Sequence, residues 1–582
     1  MDQATTHIKR IAIIGGGPSG LFMYKHLIES CYSDTEIHIF EKKGCLGQGM
    51  PYSTEGANTE HITNVSDNEI PTIVTHIKEW IYDAPKELLE KFDIQPERFN
   101  EYKVLPRLFF GHYLSAQFEL LKNRAHEHGI VTQLHLNTLI HDITDQPDRD
   151  EVWIETVNGA VEKFDHAIIC TGHHWPKKNE GIIQGYYDSP YPPAKLELKL
   201  NHPVALRGSS LTAIDAIRTL ARCNGSFEKT ENGFLTFHLN EDSRDFKIIM
   251  HSRNGFLPAI RFHLEDSHLR NDSLLTPEQI AEHIKENNGF LSLDYVFEKD
   301  FKDIFREKDP EFYQRIKDMT IETFVEAMME LREQVEPFTL FKAEYKEAEK
   351  SIKRHESVYW KEMLAILSFA MNYPAKHLSA EDMQRLQKEL LPLISLVIAF
   401  VPQSSCKELM ALHDAGLLEI ISVGAENEIE VKEDSRGIIY HYTNDKNEKQ
   451  STRYQTFIDC VGQPHLSYKD FPFKSLLSQK TISPARLKFR SKDAGEKAFK
   501  NGNKEVEQDS NGEFYLNVPG ITINDNFQII DPYGAYNPRL YIMAIPYIGG
   551  YNPDYSGLDF CEAASLRIAN TLLNVKLQEM SR

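Results

Sequence analysis

The sequence predicts an α/β fold in two similar units, with a large helical insertion inside the second unit. Three observations support this prediction. The first two are turns rich in glycine and other small residues, at residues 15–20 and 208–213, each between an apolar strand pattern and a helical pattern. The third is a stretch rich in Glu and Lys, residues 266–416, with amphipathic helical patterns. At 582 residues the chain is too long for a single core, so several domains are expected.

The first unit begins with an apolar strand at residues 11–14, which leads into Gly15-Gly16-Gly17-Pro18-Ser19-Gly20 and then a helix. Gly15 permits the tight turn, Gly17 lets a pyrophosphate approach the backbone, and Gly20 lets the helix pack close to the strand. The helix N-terminus offers amides and a positive dipole end to the phosphates. A second strand at residues 37–40 ends at Glu41, which is placed to accept hydrogen bonds from a ribose diol. The predicted dinucleotide-binding residues of this Rossmann-like unit are Gly15, Gly17, Pro18, Ser19, Gly20, Glu41 and Lys42.

Two features assign the first unit to FAD rather than NAD. A loop at residues 47–53, containing Gly49, follows the acid, where FAD enzymes run a glycine-containing loop past the flavin. Residues 151–172 then predict a strand, an Asn158-Gly159 turn, a second strand and an apolar strand ending at Thr171-Gly172. This order is typical of flavoproteins that bind two dinucleotides, in which the chain crosses back beside the FAD.

A second dinucleotide-binding pattern begins at residue 204. Gly208 and Ala213 occupy the first and third small positions of the fingerprint, and Ser210 stands where the second Gly is usual. The next strand, residues 246–250, leads to His251-Ser252-Arg253. An Arg at this strand end, in place of an acid, favours the 2′-phosphate of NADPH, with NADH as the other candidate. A degenerate unit that binds nothing is the alternative. The predicted residues here are Gly208, Ser209, Ser210, Leu211, Thr212, Ser252 and Arg253.

Residues 435–462 repeat the pattern of residues 151–172, with a strand, a turn and an apolar strand ending at Val461-Gly462. The strand ends at Gly172 and Gly462 are therefore expected to be matching crossings into and out of the second unit. The insertion is expected to be a helical cap that closes over the flavin and shapes the substrate pocket, or alternatively an interaction or oligomerisation surface. The predicted domains are an FAD-binding domain (residues 1–190 and 463–582), an NAD(P)-binding domain (191–265 and 417–462) and the helical insertion (266–416).

A last helix is predicted from about residue 558 to residue 573, with Asp559 in its first turn. In this fold the last helix directs its N-terminus at the pyrimidine edge of the flavin, where negative charge develops on reduction. We expect Asp559 to serve the cofactor there. The alternative is simple charge complementarity between this carboxylate and the helix N-terminus.

Composition and charge exclude several classes. The net charge of −21 repels phosphate backbones, so we expect no nucleic-acid partner. The seven cysteines form no Cys-x-x-Cys pair, which argues against structural zinc and against the flavoprotein disulfide reductases. No secretory signal precedes the first strand, and the most apolar run, residues 390–401, is too short to span a bilayer and predicts a buried helix. We therefore expect a cytoplasmic protein with no metal and no membrane partner.

Several further motifs follow in a characteristic order. They are Gly47-x-Gly49-x-x-Tyr52-Ser53, His61-x-x-Asn64-Val65, Arg107-x-x-x-Gly111-x-Tyr113-Leu114, Gly208-x-x-Leu211-Thr212-x-x-Asp215 and Ser252-Arg253-x-Gly255-x-x-Pro258. With the first glycine-rich turn, this order resembles the bacterial FAD-NAD(P)-binding flavoproteins over nearly the whole chain. The resemblance implies that Tyr52, His61 and Asn64 lie near the isoalloxazine and that Arg107 lies in the wall of the FAD domain.

More distantly, Thr171-Gly172-His173-His174-Trp175-Pro176 is similar to the Thr-Gly crossing of flavin-containing and Baeyer–Villiger monooxygenases. Ile183-x-Gly185-x-x-x-Ser189 falls where those enzymes carry a Phe-x-Gly-x-x-x-His fingerprint, with Ser in place of the His. His173 and His174 follow the crossing strand, in a loop that either faces the nucleotide cleft or is solvated.

The resemblance implies an NADPH-dependent flavoenzyme with a small-molecule substrate and molecular oxygen. Hydride passes from the nicotinamide to flavin N5, and the reduced flavin then reacts with oxygen at C4a to hydroxylate the substrate. Because hydride transfer demands no acid or base, we predict no catalytic triad or carboxylate pair. The alternatives are a flavin oxidase or dehydrogenase, a flavin reductase that passes electrons to a partner protein, and a flavin-loaded interaction protein without catalysis.

Overall fold

The computed structural model describes residues 8–30, 35–233, 235–264, 274–372, 374–431, 436–444, 446–553 and 557–580, with side chains as far as residue 573. Its strands are β1 (Lys9–Ile14), β2 (Thr35–Phe40), β3 (Ile62–Ser66), β4 (Val104–Pro106), β5 (Val131–His135), β6 (Ile140–Gln146), β7 (Glu151–Thr156), β8 (Val161–Phe164), β9 (His166–Ile169), β10 (Tyr186–Tyr187), β11 (Pro203–Arg207), β12 (Gly225–Lys229), β13 (Leu235–Leu239), β14 (Lys247–Ser252), β15 (Leu418–Ser422), β16 (Glu428–Glu430), β17 (Ile438–Thr443), β18 (Lys449–Tyr454), β19 (Thr456–Asp459), β20 (Pro484–Lys488), β21 (Val506–Gln508), β22 (Phe514–Ile521), β23 (Gln528–Ile530) and β24 (Tyr536–Ile542). Its helices are α1 (Pro18–Glu29), α2 (Ile77–Trp80), α3 (Lys86–Lys91), α4 (Arg107–Glu127), α5 (Leu211–Asn224), α6 (Pro277–Glu286), α7 (Leu293–Phe297), α8 (Phe305–Lys308), α9 (Pro310–Ile316), α10 (Ile321–Gln334), α11 (Pro337–Arg354), α12 (Tyr359–Met371), α13 (Ala380–Arg385), α14 (Leu391–Val397), α15 (Gln403–Asp414), α16 (Lys474–Ser478), α17 (Lys492–Lys500) and α18 (Leu558–Met580).

The first unit is built on a six-stranded sheet in the order β23-β24-β9-β1-β2-β5. All of its strands are parallel except β23, which pairs antiparallel with β24. The inner strands β1 and β9 are apolar runs buried over nearly their whole length, as expected for parallel strands covered on both faces. An antiparallel meander, β6-β7-β8, connects β5 to β9. The glycine-rich turn after β1 therefore lies at the carboxyl edge of a parallel sheet, where such folds bind ligands.

The second unit repeats this plan with a five-stranded parallel sheet in the order β10-β19-β11-β14-β15. Its inner order β19-β11-β14-β15 matches β9-β1-β2-β5 of the first unit, and a second meander, β16-β17-β18, connects β15 to β19. The structure thus confirms the α/β fold with two Rossmann-like units and the internal repeat between them.

The repeat extends to the two turns. Gly15 has a φ of +112°, and a Cβ there would lie 2.6 Å from the carbonyl oxygen of Cys170. Gly208 has a φ of +110°, and a Cβ there would lie 2.8 Å from the carbonyl oxygen of Cys460. Both positions need glycine for its left-handed conformation and for the close approach of the crossing strand. The two turns are therefore equivalent in position as well as in sequence.

The described part of the insertion is formed by helices α6–α15, so the predicted helical character is confirmed from residue 274 onward; residues 265–273 lie outside the described part. Helices α12 and α14 join the large apolar core of the first unit, whereas α11 and α15 pack into the core of the second. The insertion is thus anchored to both units. No helix in the described part of the chain is long and apolar enough to cross a membrane.

Several predicted element ends differ from the observed ones. The strand predicted at residues 246–250 is Lys247–Ser252, because it keeps pairing with β15 as far as Ser252. The apolar run 390–401 contains only the short helix Leu391–Val397. The last helix continues beyond residue 573 to Met580. The helical spacing after Gly20 also predicts that Cys31 lies on the buried face of α1, but Cys31 is outside the described residues.

Candidate functional site

A cavity of about 470 Å³ opens at the carboxyl edge of the first sheet, beside the N-terminus of α1. The N-cap residue Gly17 has no side chain to cap the first-turn amides, and the first turn of α1 carries no acidic residue. These amides are therefore left for an anion. The predicted residues that line this cavity are Gly15, Gly17, Pro18, Ser19, Glu41, Lys42, Gly49, Tyr52, Thr171 and Gly172.

The glycines of this cavity form a close-packed cradle. A Cβ on Gly17 would lie 3.0 Å from the Cα of Gly49, so the loop after β2 rests directly on the glycine-rich turn. Gly20 does not line the cavity but lies beneath it, where a Cβ would be 2.1 Å from the carbonyl oxygen of Gly15. Any larger residue would push α1 away from β1, which agrees with the predicted role of Gly20 in helix–strand packing.

Glu41 is held in place by two backbone amides. Its carboxylate accepts hydrogen bonds from the amide of Gly16 at 2.8 Å and from the amide of Lys43 at 3.0 Å, and the residue is 8% exposed. Each carboxylate oxygen keeps a lone pair, so a ribose diol in the cavity could still donate to it. Thr171 Oγ1, in the same cavity wall, is buried without a hydrogen-bond partner among the described residues. The cradle, the acid and this hydroxyl fit a dinucleotide.

A second cavity of about 430 Å³ lies between the first unit, the N-terminus of α5 and the insertion. Of the predicted residues, Tyr52, Asn64, Arg107, Ser210, Leu211 and Thr212 line it. Ser210, the N-cap residue of α5, makes no capping hydrogen bond through its side chain, and the first turn of α5 carries no acidic residue. The N-terminus of α5 is therefore as open to an anion as that of α1.

The two cavities meet at Met50, Pro51, Tyr52 and His173, which line both of them. A third, smaller cavity of about 100 Å³ is bounded by Tyr52, Asn64 and Asp559 together with Ala365 and Phe369 of α12. Tyr52 lines all three cavities, and residues of the insertion wall the second and third. Tyr52, which was predicted to lie near the isoalloxazine, is therefore shared by the walls of all three cavities.

His61 is not in any of these walls, contrary to the expectation that it lies near the isoalloxazine. Its side chain is completely buried, Nδ1 accepts a hydrogen bond from the amide of Asn58 at 3.1 Å, and Nε2 lies 3.1 Å from Thr219 Oγ1. Burial lowers the pKa of His61, so the ring is neutral. Because Nδ1 accepts the hydrogen bond from the amide of Asn58, the proton of the neutral ring is on Nε2. Its position between β3 and α5 makes it part of the interface between the two units.

Arg107 lies in the same interface. Its Nη2 is 2.7 Å from Asp215 Oδ2, which also accepts a hydrogen bond from the Tyr191 hydroxyl at 2.8 Å. Burial alone would raise the pKa of Asp215, but the charge of Arg107 and the hydrogen bond from the Tyr191 hydroxyl outweigh it and hold this pKa below its usual value. Arg107, on α4, and Asp215, on α5, therefore form a buried ion pair that ties the first unit to the second while its edge borders the second cavity.

The strand ends of the two units can be compared through their registers. Ile14 pairs with Phe40, so Glu41 follows that pair, and Arg207 pairs with His251, so Ser252 follows the equivalent pair. Ser252 is thus the structural counterpart of Glu41, with Arg253 next to it and exposed. The second unit has no carboxylate at this position.

The remaining predicted residues of the second unit shape the turns behind the cavity. Ser209 Oγ donates a hydrogen bond to the carbonyl of Phe256 at 2.8 Å, which ties the turn at residues 208–213 to the segment after β14. The carbonyl of Gly462 accepts a hydrogen bond from Trp175 Nε1 at 3.1 Å. Ser209, Gly208, Ser252, Arg253 and Gly462 do not line the three cavities.

Several cavity residues were not predicted as site residues. Gln463 orients His173: its Oε1 lies 3.2 Å from His173 Nδ1 and accepts the amide of His174 at 2.9 Å. Burial lowers the pKa of His173. His465, Leu391 and Ser395 also line the second cavity. The Thr-Gly crossing was the one signal in the sequence for His173, whereas Leu391 and Ser395 come from the insertion and had none.

Comparisons with known proteins agree with this architecture. Residues 12–174 match a family model described as FAD-NAD(P)-binding, and residues 276–398 match one described as the YdhS-like middle domain. The chain is 30% identical over 480 residues to the uncharacterized protein YdhS of Escherichia coli K12, covering 81% of this chain and 86% of that protein.

Solved structures are similar at much lower identity. Reduced ornithine hydroxylase PvdA from Pseudomonas aeruginosa is 9% identical, with coverage of 97% of this chain and 99% of that one and a TM-score of 0.48. The bacillithiol disulfide reductase YpdA from Staphylococcus aureus is 10% identical, with coverage of 98% and 99% and a TM-score of 0.42. The identity and coverage of the E. coli relative, together with the two family models, show that the chain belongs to the YdhS-like family of FAD-NAD(P)-binding proteins.

Proposed function

We propose that this protein is an FAD-dependent, NADPH-using oxidoreductase that hydroxylates a small molecule. The observation that carries the proposal is the meeting of two cavities, each beside the N-terminus of a Rossmann-like helix, at Met50, Pro51, Tyr52 and His173. A dinucleotide held in each unit would bring its reactive ring to this junction. A bound flavin accepts a hydride from a nicotinamide and, once reduced, reacts with oxygen.

In this proposal the first cavity holds FAD. The first-turn amides of α1 bind the pyrophosphate, Glu41 accepts the ribose hydroxyls, and Thr171 Oγ1 donates to the cofactor. Gly49 lets the loop after β2 pack directly against Gly17 and Pro18 of the turn. Asp559, at the start of α18, borders the third cavity and is proposed to face the flavin end of the site.

The second unit is proposed to prefer NADPH over NADH. Ser252 stands at the position where the first unit has Glu41, so no carboxylate repels a 2′-phosphate there. Arg253 is exposed at the next position and can donate to that phosphate. The N-terminus of α5, from Ser210 to Thr212, is proposed to bind the pyrophosphate.

The substrate is proposed to bind where the insertion closes the second and third cavities. Leu391 and Ile398 present apolar side chains to the second cavity, and Phe369 does so in the third. These groups exclude water, whereas Asn64 and Ser395 offer hydrogen bonds that would orient a small molecule. This placement supports the cap role of the insertion over a purely external interaction surface.

Cys170 and Cys561 also line the first cavity, which raises thiol–disulfide exchange as a rival chemistry. Burial raises the pKa of both thiols, that of Cys561 to about 12. Exchange requires a thiolate, and these groups stay protonated at neutral pH. The pair therefore supports a packing role rather than disulfide reduction.

Rapid mixing of the purified FAD-loaded protein with NADPH without oxygen tests the proposal. Fast loss of the oxidised-flavin absorbance is expected, and flavin that stays oxidised would refute use of NADPH and favour an oxidase or a non-catalytic protein. Admitting oxygen afterwards separates the remaining outcomes. Slow reoxidation with little free hydrogen peroxide supports hydroxylation, whereas prompt stoichiometric peroxide supports an oxidase or a flavin reductase.

A further inference from the structure

Two histidines and a glutamate from three strands meet on the meander side of the first sheet. His38 lies on β2, His135 at the end of β5, and Glu162 on β8. His38 Nδ1 is 2.9 Å from His135 Nε2 and 3.6 Å from Glu162 Oε2, and one potential ligand atom from each of the three side chains lies within 4.8 Å of the other two. A tetrahedral ion with bonds of about 2.0–2.1 Å holds its ligand atoms roughly 3.3 Å apart, and the two observed separations lie on either side of this value.

The rings are held rigidly in this arrangement. His135 stacks on Phe40 with ring centroids 4.2 Å apart, and His38 packs against the edge of Phe164 at 4.9 Å. His38 is 1% exposed, so its ring has little freedom to leave this arrangement. Because all three ligands stand on paired strands, little ordering remains for an ion to impose.

The surroundings provide a second carboxylate and an entry path. His38 Nε2 lies 3.3 Å from Glu36 Oε1, and a metal-bound histidine usually donates its other N–H to such a carboxylate. The side chains of His135 and Glu162 are 22% and 31% exposed, so one side of the cluster is open to solvent. Glu36 and Glu162 together also bring two negative charges to this pocket.

Arg10 is the group that opposes a cation here. Its Nη2 is 3.2 Å from Glu162 Oε2 and 3.2 Å from His38 Nε2, and its guanidinium lies over the ring of Phe164. Arg10 thus contacts the same Glu162 oxygen that lies near His38 Nδ1, whereas His38 Nδ1 itself faces His135 Nε2 at 2.9 Å. An ion bound by these three side chains must therefore displace the guanidinium from Glu162 Oε2 or use the other oxygen, Oε1, which lies 3.7 Å from His135 Nδ1.

We propose that His38, His135 and Glu162 bind a divalent transition-metal ion of the Zn²⁺ type. Two imidazoles and one carboxylate suit Zn²⁺ and Ni²⁺ and do not suit Mg²⁺, which prefers oxygen ligands and water. The ion ties β2, β5 and the meander together, and none of its three ligands lines the first cavity. This site is independent of the cofactors and of the proposed reaction.

Calorimetric titration of the chelator-treated, FAD-loaded protein with ZnCl2 tests the site, with MgCl2 as the comparison ion. One Zn²⁺ per chain is expected, and His135→Gln and Glu162→Gln are each expected to weaken its affinity at least about tenfold. Both positions are partly exposed, so these variants leave the core in place. His141→Gln, at an exposed histidine on β6 of the same meander, is the matched control and should bind like the wild type.

Arg10→Met is expected to tighten Zn²⁺ binding, because the competing charge is removed. The proposal is overturned if Zn²⁺ binds no more tightly than Mg²⁺. It is equally overturned if His135→Gln and Glu162→Gln bind Zn²⁺ as the wild type does, because the ion would then be held elsewhere.

Discussion

Replacing Arg107 by Met should destabilise the contact between the two units strongly. The guanidinium lies 2.7 Å from Asp215 Oδ2, and the two side chains are only 16% and 6% exposed. Removing one partner of such a pair leaves the other charge buried and typically costs about 3–5 kcal/mol. In the variant, Asp215 would keep the hydrogen bond from the Tyr191 hydroxyl. Its remaining charge could be neutralised only by the uptake of a proton.

The double variant Arg107→Met, Asp215→Leu separates the pair from its parts. Replacing both ions by apolar groups is often nearly neutral, and the hydroxyl of Tyr191 that loses its acceptor costs about 1–3 kcal/mol. The double variant should therefore be more stable than the single variant. A matched surface control is Arg306→Met, whose guanidinium lies 2.6 Å from Asp303 but is 54% exposed. Its loss should cost much less than that of Arg107, because solvent screens an exposed ion pair.

Denaturant unfolding, followed by tryptophan fluorescence and by release of flavin, gives these differences. The penalty of Arg107→Met should shrink as the pH falls toward and below about 4, the ordinary pKa of an aspartate. Without Arg107 the buried Asp215 takes up a proton in this range, whereas in the wild type Arg107 holds its pKa below the ordinary value. A penalty no larger than that of Arg306→Met would refute the argument, since it would mean that the Asp215 charge is not buried.

Three further predictions concern the cofactor sites and the core. The Gly20→Ala variant should lose FAD on gel filtration, because the new Cβ would lie 2.1 Å from the carbonyl oxygen of Gly15. The control variant Gly44→Ala, whose Cβ would make only ordinary contacts, should retain FAD. Equal retention by the two variants would contradict the proposed FAD site at the glycine-rich turn. The Arg253→Ala variant should raise the Michaelis constant for NADPH at least about tenfold, because a charge-assisted hydrogen bond is lost. The Michaelis constant for NADH should stay nearly unchanged. Equal effects on the two constants would show that Arg253 does not bind the 2′-phosphate. Burial lowers the pKa of His251 to about 4. As the pH falls, His251 is therefore protonated in the unfolded chain before it is protonated in the folded protein, and the free energy of unfolding should fall by about 3 kcal/mol between pH 6.5 and pH 4. The measurement is the difference in the free energy of unfolding between the wild type and His251→Phe over this pH range. A flat difference would show that His251 is not buried as a neutral ring.

The parts of the fold that were predictable from the sequence are those in which neighbouring residues determine one another. Gly20 is required by a contact with Gly15 within a single strand–turn–helix segment, Gly15 has a left-handed φ at the turn itself, and Glu41 follows the next strand. The equivalence of the two crossings followed from two similar local patterns. Such features need no knowledge of how distant segments pack.

The remaining features depend on contacts between distant segments. His61 stands in a motif that the resemblance placed near the isoalloxazine, yet α5 packs over it and Thr219 contacts its ring, so it is buried between the units. The wall of the second cavity takes Leu391 from a helix whose sequence shows only that it is apolar. His38 and Glu162 likewise meet through the pairing of the sheet and its meander, which the spacing of single residues does not encode.

The proposed function depends on two dinucleotides meeting at one junction, and a crystal structure with FAD and NADP⁺ bound tests this directly. We predict the FAD pyrophosphate at the N-terminus of α1 with its ribose on Glu41. The nicotinamide is predicted in the second cavity, within contact of Tyr52 and His173. A nicotinamide bound outside this cavity, or a second unit that stays empty at saturating NADP⁺, would contradict the account.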